Sequence, residues 1–347
     1  MVEIFRNRTV LSILTFFLAA TGIYAQSLGG TVTPVTADNF TRAETDLYFG
    51  RVVKDGAFGK FIHRRGPASL DSQTVIRLNR DTLYSSAVFD LDAGPVKITL
   101  PNAGKRFMSM QVINEDHYIF EVDYGAGNYN FTKAEVGTRY VLMVLRIFAD
   151  LANPQDLKQA HALQDAVTIK QRTPGRFEVP NWDPVSQKKM RDALMMMNAS
   201  LPDLRRAFGS RVQVDQVRHL IGTAAAWGGN PDRDAVYLNV TPKKNDGATI
   251  YKLSVPAKVP VNAFWSVTVY DAEGYLKKNQ YDAYSFNSIT AKKGADGSAT
   301  IQFGGCDGKI ANCLPTVKGW NYMVRLYRPR DEILNGRWKF PEAQAVN

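Results

Sequence analysis

The sequence predicts an α+β, β-rich protein in which a helical insert separates two antiparallel lobes of the β-sandwich or jelly-roll type. Apolar and polar residues alternate near both ends of the chain, as in half-buried strands. In the middle, apolar residues recur at helical spacing instead. This segregation favours sandwich lobes over alternating βαβ units. We predict an N-terminal β-domain at 35–150, the helical insert at 151–234 and a C-terminal β-sandwich domain at 235–342.

The first 25 residues have the layout of a secretory signal peptide. Arg6 and Arg8 precede an apolar run at 10–20, and the small residue Ala25 follows it. The alternative is an uncleaved membrane anchor, which needs roughly 20 apolar residues, and this run is much shorter. We therefore expect cleavage near Ala25, a periplasmic or secreted protein, and no membrane span after cleavage.

The charge of the chain bears on its partners. There are 43 Lys and Arg against 33 Asp and Glu among 347 residues, a net charge of +10. The basic residues are scattered, without the basic stripe and interleaved aromatics of a nucleic-acid surface. We therefore expect no nucleic-acid partner. The positive balance suits an anionic ligand or a solvated surface near an anionic envelope.

Successive strands are predicted in the N-terminal domain. Hydrophobic residues alternate through four runs, with turn sequences at 92–95 and 101–104 among them. The alternating residues are Phe89 and Leu91, then Val96, Ile98 and Leu100, then Met108, Met110 and Val112, and finally Tyr118, Phe120, Val122 and Tyr124. The pattern predicts an antiparallel β-domain.

Three helices are predicted in the insert. Asn153 and Asp183 are each followed by proline, which is the sequence of an N-cap and a first helical residue. A third apolar run spans 217–227 and ends at two glycines. The second helix is rich in methionine, and the helical spacing favours ordinary core over a soft-metal site.

In the C-terminal domain apolar residues again recur at every second position, as in strands. Its clearest strands are 250–255, 264–270, 300–303 and 322–327. Both faces of the 264–270 strand carry bulky residues, so we expect it at the centre of a sandwich. On the last strand Arg325 and Tyr327 share one face, where an anion or a sugar fits, and structural core is the alternative.

The two cysteines, Cys306 and Cys313, are close in sequence and separated by glycine, Asp and Asn. An exported chain meets oxidising conditions, so this pair predicts a disulfide. A redox-active pair is more usually C-x-x-C, and a metal site needs further ligands nearby.

Familiar catalytic motifs are missing from the sequence, among them the nucleophile elbow, the P-loop and the H-E-x-x-H zinc motif. A stretch at 77–85 instead offers an amide, a carboxylate and a phenol from Asn79, Asp81 and Tyr84. A carboxylate there is suited to general-base catalysis, and Arg80 to anion binding. In the alternative interpretation, Asp81 caps the turn by accepting from backbone N–H groups.

A second polar stretch follows the predicted strand that ends at Val112. In an extended chain Glu115 and His117 point to one face, as an acid–base pair or as two of three metal ligands. Since spacing identifies no third ligand, we assign no metal site and no cofactor. The alternative is that His117 is a hydrogen-bonded residue at the rim.

Two series of motifs resemble known bacterial families. Residues 79–85, 90–91, 94–96 and 101 resemble the family called domain of unknown function 1254, and residues 260–271, 296–298, 312–315, 325–327 and 336–338 resemble domain of unknown function 1214. Together these resemblances cover about 35–150 and 235–342. They imply an exported, β-sandwich-rich protein and no agreed reaction. The second family usually has tryptophan where this chain has Cys313, which supports a bridge to Cys306.

Two functions from different classes fit the sequence. The leading hypothesis is an exported enzyme that acts on a small polar or anionic compound in a cleft between the lobes. The alternative is a non-catalytic envelope module that binds carbohydrate or assembles into a homo-oligomer. In the enzyme, acid–base and binding groups come from Asn79, Asp81, Tyr84 and His117, and the anion clamp from Arg80 or Arg325. Convergence of these groups in one pocket favours the enzyme.

Overall fold

The structure is a computed structural model that describes residues 31–73 and 76–346. The predicted signal peptide lies outside the described residues. Within them, no helix is both long enough and apolar enough to cross a membrane.

Six α-helices and sixteen strands form in the described residues. The helices are α1 Phe40–Lys54, α2 Lys133–Val136, α3 Pro154–Asp165, α4 Pro184–Asn198, α5 Gln216–Ala225 and α6 Asp331–Leu334. The first eight strands are β1 Ile62–His63, β2 Thr82–Asp90, β3 Val96–Leu100, β4 Met108–Asn114, β5 Ile119–Asp123, β6 Gly127–Phe131, β7 Tyr140–Phe148 and β8 Thr168–Lys170. The others are β9 Ala235–Val240, β10 Tyr251–Val255, β11 Trp265–Tyr270, β12 Ser285–Asn287, β13 Ala299–Phe303, β14 Cys313–Leu314, β15 Asn321–Tyr327 and β16 Gln344–Ala345. The α+β, β-rich prediction is confirmed.

The N-terminal lobe is a sandwich of two antiparallel sheets. One has the strand order β1-β2-β7-β4-β5 and the other has the order β6-β3-β8. Leu83, Ile98, Met110 and Leu145 belong to the core between these sheets. Ala160 on α3 joins the same core, so the first helix of the predicted insert packs on this lobe.

The C-terminal lobe is a second sandwich. Its sheets have the orders β14-β13-β10-β16 and β12-β11-β15-β9, and only the β13–β14 pairing among these is parallel. Leu253, Val267, Ile301 and Val324 lie in the core between them. All six residues of β11 are buried, as expected for a central strand.

Helix caps explain where the helices of the middle section begin. The side chain of Asn153 accepts from the first-turn N–H groups of α3, and Asp183 does the same for α4. Both helices have proline in the first turn, where its missing N–H costs nothing. The three predicted helices are therefore present as α3, α4 and α5.

The outer face of the five-stranded sheet packs against two different parts of the protein, the helical region and the C-terminal lobe. Val88 and Leu142 lie in a hydrophobic cluster with Phe49 of α1 and with Phe208. Further along the same face, Tyr84 and Arg146 meet the outer face of the β12-β11-β15-β9 sheet. The polar half of this outer face is thus buried between the two lobes.

A disulfide joins Cys306 to Cys313, with a Cα–Cα distance of 5.6 Å, and the prediction of this bridge is confirmed. Thiol titration of the unfolded, unreduced protein should find no reactive cysteine. Combining Cys306→Ser with Cys313→Ser should lower the free energy of unfolding by about 2–3 kcal/mol, because a short loop is released in the unfolded chain. Two reactive thiols in the unreduced protein would contradict the bridge.

Candidate functional site

Three strands of the N-terminal lobe bring polar side chains to the boundary between the lobes. Tyr84 on β2 lies opposite Arg146 on β7 in the antiparallel register, and Gln111 comes from β4. Gln111 is fully buried and Arg146 is 7% exposed. A charged side chain that is buried to this degree needs partners, since its desolvation is costly.

Arg146 has only neutral hydrogen-bond acceptors. Its Nη1 donates to Gln111 Oε1 at 2.6 Å, and its Nη2 donates to the carbonyl of Gly228 at 3.2 Å. The guanidinium carbon lies 5.5 Å from the centre of the Tyr84 ring. In the part of the chain that the structure describes, no carboxylate forms an ion pair with Arg146.

Arg325, 2% exposed, is the second buried guanidinium of the boundary. It donates to Thr268 Oγ1 at 2.9 Å, to the Tyr270 hydroxyl at 2.6 Å and to the carbonyl of Arg77 at 2.7 Å. The Arg77 carbonyl belongs to the N-terminal part of the chain, so Arg325 links the two lobes. Burial works against its charge, but the nearby Tyr270, Tyr327 and Asp81 raise the pKa of Arg325 above its usual value.

Two tyrosine hydroxyls, one from each lobe, meet at Asn79. The Asn79 Nδ2 atom lies 3.0 Å from the Tyr84 hydroxyl and 3.1 Å from the Tyr327 hydroxyl. A third hydroxyl, that of Tyr237, accepts from Asn230 at 2.8 Å. Asn79, Tyr84 and Tyr237 retain partial exposure, whereas Tyr327 is buried. The Tyr84 side of the cluster is therefore partly accessible to solvent.

Asp81 reaches across the boundary rather than back to its own turn. Its Oδ1 accepts from Asn287 Nδ2 at 3.1 Å and lies 3.5 Å from Ser285 Oγ, while its Oδ2 is buried without a partner. The turn is held instead by Asn79 Oδ1, which accepts from the Asp81 N–H at 2.9 Å. The interpretation of Asp81 as a turn cap is therefore wrong, because Asn79 has that role. Ser266 Oγ, another buried atom of this face, also lacks a partner.

The charge of Arg146 separates the acidities of the two central phenols. Burial alone would raise the pKa of Tyr84, but the charge of Arg146 and the hydrogen bond from Asn79 outweigh burial and lower it. Burial and the neighbouring phenols raise the pKa of Tyr327 well above its usual range. Tyr84 is therefore the phenol of this pair that loses its proton more readily.

Glu115 and His117 lie beyond the C-terminal end of β4, towards the helices. His117 Nδ1 lies 2.8 Å from Thr223 Oγ1, and its Nε2 accepts from the N–H of Gly228 at 2.8 Å. Burial and the neighbouring His219 hold the pKa of His117 well below its usual value, so its ring is neutral. The expected extended geometry is wrong, because His117 has a φ of 60° and the segment after Asn114 is a turn.

Glu115 accepts from the N–H of Tyr140 at 2.8 Å and pairs with Arg42 at 3.6 Å. Neither Glu115 nor His117 contributes an atom to the cluster between the lobes. His117 does accept from the N–H of Gly228, and the carbonyl of the same residue accepts from Arg146. Arg80 lies at the edge, where it donates to the carbonyl of Ala68 at 3.1 Å and covers the ring of Tyr284.

The structure therefore brings Asn79, Asp81, Tyr84, Arg325 and Tyr327 together at the boundary. Arg146, the central cation, is not among the site residues predicted from the sequence. The sequence did contain a signal, since Arg146 is the only charged residue in the nine-residue strand β7. A single arginine in an otherwise apolar strand indicates a buried charge with a specific role.

The described residues contain no group of three or more His, Cys, Asp or Glu side chains arranged to hold a metal ion. A surface groove of about 490 Å³ lies beside the boundary, lined by Gln73, Tyr275 and Lys277 among others. The ammonium of Lys277 in this groove already pairs with Asp271 at 3.3 Å. The unpaired charge of Arg146 makes the boundary cluster the stronger candidate.

Comparison with known proteins finds one family match in each half of the chain. The family described as Protein of unknown function (DUF1254) matches residues 58–171, and Protein of unknown function (DUF1214) matches residues 235–331. No curated protein matches the chain.

Two solved structures share the fold. The VPA0106 protein from Vibrio parahaemolyticus has a TM-score of 0.68 and 19% identity over 89% of this chain and 98% of that chain. A putative uncharacterized protein from Burkholderia cenocepacia has a TM-score of 0.52 and 15% identity, over 89% of this chain and 88% of that chain. At these identities the similarity shows the fold alone. The DUF1254 match in the N-terminal half and the DUF1214 match in the C-terminal half confirm the predicted resemblance and its order along the chain.

Proposed function

We propose that this protein binds a small carboxylate compound between its two lobes, with the carboxylate against Arg146. The observation that carries the proposal is a buried guanidinium that has neutral hydrogen-bond partners and, in the described residues, no ion pair. Buried charges in proteins are normally paired, so a bound anion accounts for the charge of Arg146.

The donors of Arg146 suit a planar carboxylate. A guanidinium has five N–H donors in a flat fork, and a carboxylate accepts from two of them side by side. Gln111, the Gly228 carbonyl and the Tyr84 hydroxyl engage three of these donors, which leaves two for the two oxygens of a carboxylate. The partial exposure of Tyr84 and Tyr237 indicates the side from which a small compound reaches them.

The charge of the whole cluster also favours an anion. The charge of Arg146 interacts with the phenols Tyr84, Tyr237 and Tyr327, while the carboxylate of Asp81 interacts with Arg325. In the described residues Arg146 forms no ion pair, and its charge is buried in a region of low dielectric constant, where attraction for an anion is strong. With the acid–base groups of Tyr84 and Asp81 beside it, the site suits an enzyme better than a flat assembly surface.

We further propose that the protein works in the periplasm or outside the cell. The support for this location is the signal-like start of the sequence, with its two arginines, short apolar run and Ala25.

A ligand-dependent melting experiment tests the binding proposal. Acetate and malonate should raise the melting temperature of the wild-type protein, whereas acetamide at the same concentration should not. Stabilisation should grow with concentration and reach about 2.7 kcal/mol at roughly a hundredfold excess over Kd. Arg146→Met should abolish the effect, and Arg172→Met, which removes an exposed arginine, should preserve it. Equal carboxylate-dependent shifts in the two variants would contradict the proposal.

A further inference from the structure

Arg146 needs a counter-ion in the free protein as well, and the groups around it are phenols. The positive charge of Arg146 interacts with the hydroxyls of Tyr84, Tyr237 and Tyr327. The carboxylate of Asp81 bonds to Asn287 instead, and its charge acts on Arg325. We therefore expect one of the three phenols to carry the negative charge that balances Arg146 in the free protein.

Geometry selects Tyr84 among the three. Tyr327 stacks on Phe264 with ring centres 4.4 Å apart and lies in an aromatic cluster with Phe107, an environment that disfavours a phenolate. An amide donates to each of the three hydroxyls, from Asn79 to Tyr84 and Tyr327 and from Asn230 to Tyr237. What sets Tyr84 apart is Arg146, which lies opposite it in the β2–β7 register with its guanidinium carbon 5.5 Å from the ring centre. A cation and a hydrogen-bond donor at one phenol favour its deprotonated form.

We propose that Tyr84 is the counter-ion of Arg146 in the free protein and takes up one proton from solvent when a carboxylate binds. The anion then replaces the phenolate beside Arg146, and the proton converts Tyr84 to a neutral hydroxyl. One negative charge and one proton enter together, so the net charge of the site is unchanged. The inference rests on the proposed carboxylate binding and adds an activity to it, because it places a transferable proton on the Tyr84 oxygen beside the bound compound.

The surroundings of Tyr84 support this role on all sides. The charged and titratable groups of the cluster are Arg146 on β7, Tyr237 on β9, Arg325 and Tyr327 on β15, and Asp81 just before β2. Beside Arg146 also lies Tyr124, which follows β5 and donates to the carboxylate of Asp234 at 2.9 Å. The pKa of Tyr84 is lowered, and that of Tyr327 is raised well above its usual value. The two phenols therefore differ in the direction in which their surroundings shift them, and Arg146 lies on the Tyr84 side.

Linkage between proton and anion sets the direction of the pH dependence. The carboxylate favours the protonated form of Tyr84, so its affinity is greatest below the pKa of Tyr84 in the free protein. Above that pKa, affinity should fall by about tenfold per pH unit, since each binding event must then take up a proton.

Near-ultraviolet absorbance of tyrosinate tests the free protein without any ligand. About one tyrosine should ionise at a lower pH than the others in the wild type. Tyr84→Phe should lose this early transition, and Arg146→Met should move it to higher pH. The matched control is Tyr322→Phe, a tyrosine of the C-terminal lobe with a pKa raised to about 12 by burial, which should keep it. An unchanged early transition in folded Tyr84→Phe would overturn the inference.

Acetate supplies the second half of the test. Adding acetate to the wild type just above the early transition should remove the tyrosinate absorbance. Calorimetry in two buffers of different ionisation enthalpy should show uptake of about one proton per bound acetate. Acetate binding without loss of tyrosinate would overturn this inference and leave the proposed function intact. An early tyrosinate in a protein that binds no carboxylate would contradict the proposed function and leave Tyr84 as the counter-ion of Arg146.

Discussion

Replacing Arg325 with methionine is expected to lower the free energy of unfolding by about 3 kcal/mol. Arg325 is 2% exposed and donates to Thr268, to Tyr270 and to the carbonyl of Arg77 in the other lobe. Methionine fills much of the same volume but satisfies none of these acceptors. It also leaves the buried carboxylate of Asp81 without the positive charge that faces it.

Urea denaturation monitored by tryptophan fluorescence measures this change. Lys252→Met is the matched control, because Lys252 is exposed on β10 and its loss should change the free energy of unfolding by less than about 0.5 kcal/mol. Arg325→Lys should give an intermediate loss, since it keeps the charge without the planar fork of donors. A fall of less than about 1 kcal/mol in Arg325→Met would contradict the role of Arg325 in joining the lobes.

Gly229→Ala is also expected to lower the stability of the protein, because it displaces the loop whose carbonyl groups hold Arg146 and Gln111. A Cβ atom at position 229 would lie 2.6 Å from Cδ2 and 2.7 Å from Cζ of Phe208, well inside van der Waals contact. Phe208 is itself packed in a buried cluster, so the loop must move. Its movement would displace the carbonyl of Gly229 from Gln111 and that of Gly228 from Arg146.

We expect Gly229→Ala to cost about 2–3 kcal/mol of stability and to abolish the carboxylate-dependent rise in melting temperature. The variant Gly228→Ala is a stringent control, because its added Cβ meets no atom within 4 Å. Its φ of 77° still costs about 1 kcal/mol for alanine. The further change Phe208→Leu should recover part of the loss in Gly229→Ala and none in Gly228→Ala. Equal losses in the two glycine variants would contradict the packing of Gly229 against Phe208.

Much of the fold follows from local patterns in the sequence. The alternation of apolar and polar residues predicts β3, β4, β10, β11, β13 and β15, and the cap residues predict the starts of α3 and α4. Helix α1 was missed because polar residues occupy its buried side, among them Glu44 and Asp46. They are paired by distant side chains, since Glu44 bonds to Arg191 and Asp46 accepts from Trp182. A pattern of apolar residues does not predict this helix, because only half of its buried residues are apolar.

The sequence predicts the positions of some residues of the candidate site and not of others. The shared face of Arg325 and Tyr327 follows from strand periodicity, and both lie where that periodicity puts them. The position of His117 does not follow from it, because the left-handed turn after β4 sends its side chain towards the helices. The sequence marks Arg146 as the one charge in an apolar strand, but its place in the site depends on the packing of the two lobes, which local patterns do not predict.

The most direct test of the account is a crystal structure of the protein grown in malonate. The account predicts density for a carboxylate at the boundary of the lobes, with its two oxygens within hydrogen-bond distance of the Arg146 guanidinium and beside the Tyr84 hydroxyl. Crystals of Arg146→Met grown under the same conditions should lack this density while keeping the fold. Malonate bound only to exposed lysines or arginines in wild-type crystals, with none against Arg146, would contradict the central claim.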